Sequence, residues 1–384
     1  MKRTRMLSLV IMSILNILLL AGCWNYREVD QLSIVAGVAI DKGIHEKYSL
    51  SVEIAEISGE KESETKSKTI TVEGKTIFDA ARNAISFMGK KLYWSHAKVV
   101  IVSREVAETG LVDILDWYNR DAETRGDIHI LVSKGESAKE ILSRKSTTEK
   151  VKSFEIDKMM ENQKALSKTS PIEIWEITNE LAAKGVGAIS AAVDLEKSDG
   201  EEVPRVLGTA VFKGNKLIGF LDADETKALL FIRNKLDGGI LAEDIQMNGI
   251  VESVSLEIFK SKTKVQPVVS NEEIKMKVSV ETTVAIDEIE GTFNVIEDEG
   301  RKKLEKFAEE SLKSQMENLI KKVQLEYGVD IFGFGTKLRE EKPKAWESVS
   351  SEWANVFKDI KVDVNVKVHV KNSAMLSKPL EVGD

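Results

Sequence analysis

The sequence predicts an α+β protein of more than one domain. A mixed sheet with helices is expected in the first half, and a largely antiparallel sheet packed by one long helix in the second. Three observations carry this expectation. Short apolar runs alternate with capped helical segments up to Leu195. Residues 301–327 place apolar side chains three and four apart. Residues 360–371 alternate strictly between apolar and polar. A two-residue period marks a half-buried strand, and a 3.6-residue period marks a one-sided helix.

Residues 33–41 are rich in small and branched apolar side chains and read as a buried strand. Residues 48–57 alternate and pair with them through a turn at Lys42-Gly43. Residues 58–67 are polar and read as a loop, followed by a short strand at 69–72. Thr76 and Asp79 form a capping pair for a helix that runs to Met88 and stops at Gly89. A strand at 97–103, a helix at 111–118 and a strand at 127–133 follow. Ser137 and Glu140 make a capping box for a short helix, and residues 150–165 fit a longer one. Ser170, Pro171 and Glu173 mark a further helix start, ending near Lys184-Gly185. A strand at 188–195 closes a first domain over 33–195.

The charged, glycine-containing stretch 196–204 reads as a linker to a second domain over 205–384. There, 205–212 and 216–220 form a hairpin about Gly214-Asn215, and Asp222-x-x-Glu225 opens a helix reaching Lys235. Strands are expected at 251–259, 264–269 and 274–286. The helix at 301–327 is about 40 Å long and ends at Gly328. In the last strand, Ile360, Val362, Val364, Val366, Val368 and Val370 alternate with polar residues. That pattern buries one face and wets the other, as antiparallel sheets do.

The chain opens on Lys2, Arg3 and Arg5, an apolar run to Leu20, small Ala21 and Gly22, and then Cys23, the single cysteine among 384 residues. Basic, apolar and small-residue regions in that order read as an export signal over residues 1–22. As a helix, the run from Met6 to Ala21 would span about 24 Å, short of the ~30 Å hydrocarbon core. Removing residues 1–22 moves the net charge from −8 to −11. A chain that acidic lacks the basic footprint that nucleic acid needs, and the same balance argues against lying flat on anionic lipid. Hydrophobic residues at 42% suffice for packed cores, and charged residues at 31% cover them. The tether from Cys23 to Leu32 is short, reaching about 30 Å at full extension.

No catalytic constellation stands out. His45, His96, His129 and His369 show no metal-ligand spacing, and there is no H-E-x-x-H, G-x-S-x-G or P-loop. Gly185-Val186-Gly187 precedes a strand and lacks a third glycine, so it is no dinucleotide fingerprint. A non-enzymatic protein without a metal site is expected. His129 and His369 are expected to face solvent or a polar surface. Trp94 of Trp94-Ser95-His96 reads as core filling, with His96 satisfying a backbone group. Arg120, Asp121, Glu123 and Arg125 read as a local ion-pair network. Between Asp330 and Gly335, Phe332 and Phe334 pin a sharp turn, and Trp346 and Trp353 share one face if their stretch is helical.

The thiol at the signal boundary resembles the lipobox of bacterial lipoproteins, where the sulfur carries a diacylglycerol and becomes the new N-terminus. That resemblance implies a covalent diacylglycerol or acyl lipid on Cys23 and no other cofactor. Two acyl chains suffice for stable anchoring, so the first domain would hang near the membrane. Cys23-Trp24-Asn25-x-Arg27-Glu28-x-Asp30, followed by Gly37-Val38-Ala39-Ile40-Asp41, resembles the mature start of the Ger(x)C-type spore germination lipoproteins. These are the C subunits of nutrient germinant receptors. The likeness continues through Trp94-Ser95-His96, Arg120-Asp121-x-x-x-Arg125, Phe212-Lys213-x-x-Lys216, Asp330-x-x-Gly333-x-Gly335, Trp346 and Trp353. One departure is Lys371-Asn372-Ser373, where the family often carries a glycine.

The resemblance implies a lipid-anchored subunit on the outer face of the spore inner membrane. It implies as partners an A-type membrane subunit and a B-type subunit similar to amino-acid transporters. Trp24, Arg27, Glu28 and Asp30 would lie at the membrane-proximal partner interface. The alternative reading is a solute-binding lipoprotein of a membrane transporter. That class usually alternates strand and helix in both halves, which the second half here fits poorly.

Overall fold

The computed structural model describes residues 2–19, 31–57, 65–135, 137–247, 250–271, 273–289 and 298–371. Helix α1 covers Lys2–Leu19. Cys23, Trp24, Arg27, Glu28 and Asp30, with most of the expected tether, lie outside the described residues. No helix among the described residues is long and apolar enough to cross a membrane.

A nine-stranded sheet forms the first half. Strands β1 (Leu32–Lys42), β2 (Tyr48–Ile57) and β3 (Thr65–Gly74) make an antiparallel meander. Helix α2 (Ile77–Met88) follows as its residues dictate: the Thr76 hydroxyl accepts the Asp79 N–H, and Gly89 closes the helix in the left-handed region. Short β4 (Lys91–Tyr93) and then β5 (Val99–Val102) pair parallel to β1. All four residues of β5 are buried, which suits a central parallel strand covered on both faces.

After α3 (Arg104–Thr109) and α4 (Val112–Arg120), β6 (His129–Ser133) adds parallel to β5. Helices α5 (Ala138–Ser143), α6 (Lys152–Glu161) and α7 (Ile174–Ala182) precede β7 (Ile189–Ser198), parallel to β6. Helices α5 and α6 pack Ile141, Leu142, Ile156 and Met160 on one sheet face. Helices α2, α4 and α7 cover the other.

Two expectations change here. The helix expected from Ser170 starts three residues later. Glu173 is its cap, in a reciprocal box with Glu176, while the Ser170 hydroxyl is buried against Thr209. The stretch 196–204, read as a linker, is strand. It forms the outer arms of a hairpin between β7 and β8 (Glu201–Lys213), turning at Asp199-Gly200. Its charged residues sit on a largely exposed two-stranded ribbon, so polarity alone did not mark a break. The sheet runs on through β8 to β9 (Lys216–Leu221), giving the order β3-β2-β1-β5-β6-β7-β8-β9 with β4 beside β1.

Helix α8 (Ala223–Ile232) opens on the expected box of Asp222 and Glu225. The second sheet holds β10 (Ile240–Met247), β11 (Ile250–Ser270), β12 (Glu273–Ile289) and β13 (Lys361–Lys371) in that order. The strands expected at 251–259 and 264–269 are one strand, β11, with a register shift between Ile258 and Lys260 that breaks the alternation. Strand β10 had no counterpart in the sequence reading.

Strand β13 pairs parallel to β12, not antiparallel. Its period of two has another cause. Helix α9 (Asp298–Lys322) lies over its apolar face, burying Leu304, Ala308, Leu312, Met316 and Leu319. A π-helical turn at Val323–Tyr327 and Gly328 end that helix. Helices α10 (Phe334–Glu341), α11 (Pro343–Val349) and α12 (Trp353–Asp359) lead into β13. One apolar core joins the two sheets, running from Val38 and Val100 to Val278 and Val364.

Candidate functional site

The motif residues gather in two places. The first surrounds the loop between α4 and β6. Trp94 is buried edge-on against Trp117 of α4, with ring centres 4.8 Å apart. It therefore fills the core, as expected. The Ser95 hydroxyl donates to the Glu123 carbonyl at 2.9 Å. The Asp121 carboxylate accepts the Glu123 N–H at 2.8 Å, and the Thr124 hydroxyl donates to the carbonyls of Tyr118 and Asp121. These bonds fix the loop.

The ion pairs are dispersed instead of forming one network. Arg120 pairs with Asp116 one turn earlier, Arg125 with Asp127, and Glu123 with Lys91 of β4. The two arginine pairs are exposed, and such pairs contribute about 1 kcal/mol or less. Among the described residues His96 bonds to no backbone group, and its exposed ring lies 5.6 Å from that of Tyr93.

Beside this loop, α2 and α4 border an open groove of about 680 Å³ lined by Tyr48, Phe78, Arg82, Asp113, Trp117 and Arg120. The Tyr48 hydroxyl donates to Asp113 at 2.9 Å, and Lys47 reaches the same oxygen. Lys47 and then Tyr48 hold the Asp113 carboxyl below the usual range, while burial pushes the Tyr48 phenol up. Charges of both signs line the walls.

The second place is the segment 330–335. Asp330 is fully enclosed, and its carboxylate accepts the N–H groups of Phe332 (3.0 Å), Gly333 (2.9 Å) and Gly335 (2.8 Å) and the Trp353 indole N–H (3.2 Å). Burial pushes the carboxyl up to about 6, although all four donors favour its charged form. Gly335 abuts Gly185 backbone to backbone: a Cβ there would stand 2.7 Å from Gly185. The Gly187 N–H donates to the Asp330 carbonyl at 2.7 Å. The glycines of 185–187 therefore serve close packing between the two halves.

Trp346 and Trp353 do not share one helical face. They sit on separate helices, α11 and α12, broken by a turn at 350–352, and meet edge-on at 5.4 Å. Phe332 and Phe334 stack at 5.1 Å and pin the turn as expected. Apart from both places, Asp41 accepts the N–H groups of Ala138 and Lys139 and so caps α5 from the end of β1.

Three polar assemblies escaped the sequence reading. Buried Glu53 of β2 accepts the N–H groups of Lys152 and Ser153 at the start of α6. Lys152 and Glu155 form a buried pair at 2.6 Å. Burial pushes Glu155 up, but bonds from Lys152, Thr148 and Thr147 outweigh it and hold the carboxyl below its ordinary value. Arg233, just past the end of α8, donates to Glu180, the Ile331 carbonyl and the Gly187 carbonyl, joining α7, the turn before β7 and the 330–335 segment. One cue existed for Glu53. Its neighbours on that strand face are Ser49, Ser51 and Ala55, small enough for a helix to approach.

Of the two surroundings expected for His129, the structure gives the polar one: the ring is largely enclosed, with Nδ1 3.0 Å from Asp157. His369 is exposed beside Glu281. Among the described residues, no three His, Cys, Asp or Glu side chains are grouped to hold a metal ion.

With this geometry in view, comparison with known proteins is informative. Residues 25–194 match the family described as spore germination protein N-terminal domain, and residues 207–374 match spore germination B3/GerAC like, C-terminal. The chain is 23% identical over 398 residues to spore germination protein KC of Bacillus subtilis (strain 168), covering 97% of each. It is 26% identical over 372 residues to spore germination protein B3 of the same organism, covering 92% of this chain and 94% of that one. The crystal structure of the GerBC protein superposes with a TM-score of 0.60 at 23% identity, covering 90% of this chain and all of that one. The mixed α+β architecture is thus a known one. The motifs, the two matched domains in order and the shared fold agree: the chain belongs to the Ger(x)C-type spore germination proteins.

Proposed function

We propose that this chain is the lipid-anchored C subunit of a spore nutrient germinant receptor, acting through protein contacts and not through catalysis. The observation that carries the reading is the succession of a lipobox-like Cys23 and two germination-family domains across nearly the whole chain. The motif residues support a scaffold role, because Asp330, Asp121 and Asp41 spend their carboxylates on backbone N–H groups. In this reading a diacylglycerol on Cys23 holds the protein to the outer face of the spore inner membrane. A-type and B-type membrane subunits are its partners, and Arg27, Glu28 and Asp30 lie where they would meet it.

Deletion of the gene in a sporulating host should impair germination with some member of a nutrient panel, and Arg27→Glu should reduce recovery of the membrane subunits in pull-downs. Normal germination with every nutrient, together with full recovery of the complex, would remove the support for this function.

A further inference from the structure

The point where the chain enters its first strand has an unusual surface. Leu32 opens β1 and pairs with Lys91 of β4, so the two lie about 5 Å apart. Four residues before Lys91, at the end of α2, stands Phe87, 74% exposed. Lys90 beside it is exposed as well. Phe78, 45% exposed with the Arg82 guanidinium over its ring, shares a small crevice with Lys91. Phe87, uncovered and with Lys90 close by, thus stands near the start of β1, while Phe78 lies towards the other end of α2. A folded protein gains nothing from leaving Phe87 in water, where burial would be worth about 2 kcal/mol.

We propose that this end of α2 is a second membrane contact, with Phe87 set into the headgroup region of an anionic bilayer and Lys90 against its phosphates. Aromatic rings with lysine and arginine suit that boundary layer, one part apolar and one part wet. A protein partner would call for a larger apolar patch or a pocket to receive the ring. Chain length argues for the bilayer as the occupant. Leu32 is only nine positions on from Cys23, so an acylated Cys23 confines Leu32 to within about 30 Å of the bilayer surface. The far end of β1 lies about 35 Å away, and there Ile44 is 87% exposed without any such constraint. The proposal rests on the lipid-anchor reading, and its test separates the two.

The full chain, matured in a lipidating bacterial host, carries one fluorophore on Phe87→Cys or on Ile44→Cys, Cys23 being blocked by its lipid. It is reconstituted into phosphatidylglycerol–phosphatidylcholine vesicles with or without brominated acyl chains. The label at 87 should lose fluorescence severalfold with brominated lipid, while the label at 44 stays unquenched, and Lys90→Glu should weaken the quenching. Equal behaviour at 87 and 44 in protein that floats with the vesicles overturns the proposal and leaves the anchor standing. Failure to float at all overturns the anchor. Quenching absent in vesicles, with the label at 87 shielded only once the membrane subunits are present, would give the surface to a protein partner instead and overturn it too.

Discussion

The Asp330 carboxylate gathers N–H donors from a loop, from α10 and from α12, so one side chain sets where three segments meet. Replacement by Asn would turn an NH2 toward those donors and leave some unpaired. Asp330→Asn should cost about 3 kcal/mol in urea unfolding. The pH dependence has a definite sign. Because the folded carboxyl titrates near 6, above its ordinary 3.8, the folded state takes up the proton first. This group's contribution therefore improves as the pH falls through 6 and is lost again as it rises. The gap between wild type and Asp330→Asn should widen by about 1 kcal/mol from pH 7 to pH 5. A constant gap would mean that the carboxyl keeps an ordinary acidity.

At the scale of elements, α9 and β13 show how an edge is managed. Beyond β12, the outer edge of β13 would present unpaired N–H groups. Glu309 of α9 accepts the Val368 N–H at 3.2 Å, and Glu305 accepts that of Val370 at 2.9 Å. Exposed edges recruit other strands unless they are blunted. The double variant Glu305→Ala/Glu309→Ala should therefore associate with concentration in light scattering while keeping its far-ultraviolet circular dichroism. Monodisperse material would show that the two carboxylates are dispensable there.

The same pair of elements shows what a sequence can convey. The apolar positions of α9 announced the helix and its buried face, because a helix repeats its environment every turn. The alternation of β13 announced which residues are wet but not the direction of the neighbouring strand, since period two is common to both pairings. The bulge near Phe259 hid the length of β11, and the charged arms of 196–204 looked like a linker. Thr76 and the turn pinned by Phe332 and Phe334 were legible because local chemistry decides them, whereas the bonds that Asp330 gathers were not. The Glu53 and Arg233 assemblies were not, because their partners lie 99 and 98 residues away.

For the molecule as a whole, the core is shared. Arg233, Gly185 against Gly335 and the Tyr327 hydroxyl on the Phe220 carbonyl all cross between the first sheet and the second half. The full chain should accordingly unfold in one calorimetric transition. Two resolved transitions would show that the halves are independent.

The hairpin of β7 and β8 also bears on how such proteins could diversify. The two germination-family modules change over between 194 and 207, yet the ladder of the first sheet passes through that interval to Leu221. Exchange of whole front halves between cousins would strip β7 of its native neighbour if the crossover fell at the family border. Recombination that respects hydrogen-bonded continuity has its natural seam after β9, so descent of the parts need not follow the divisions drawn from their sequences.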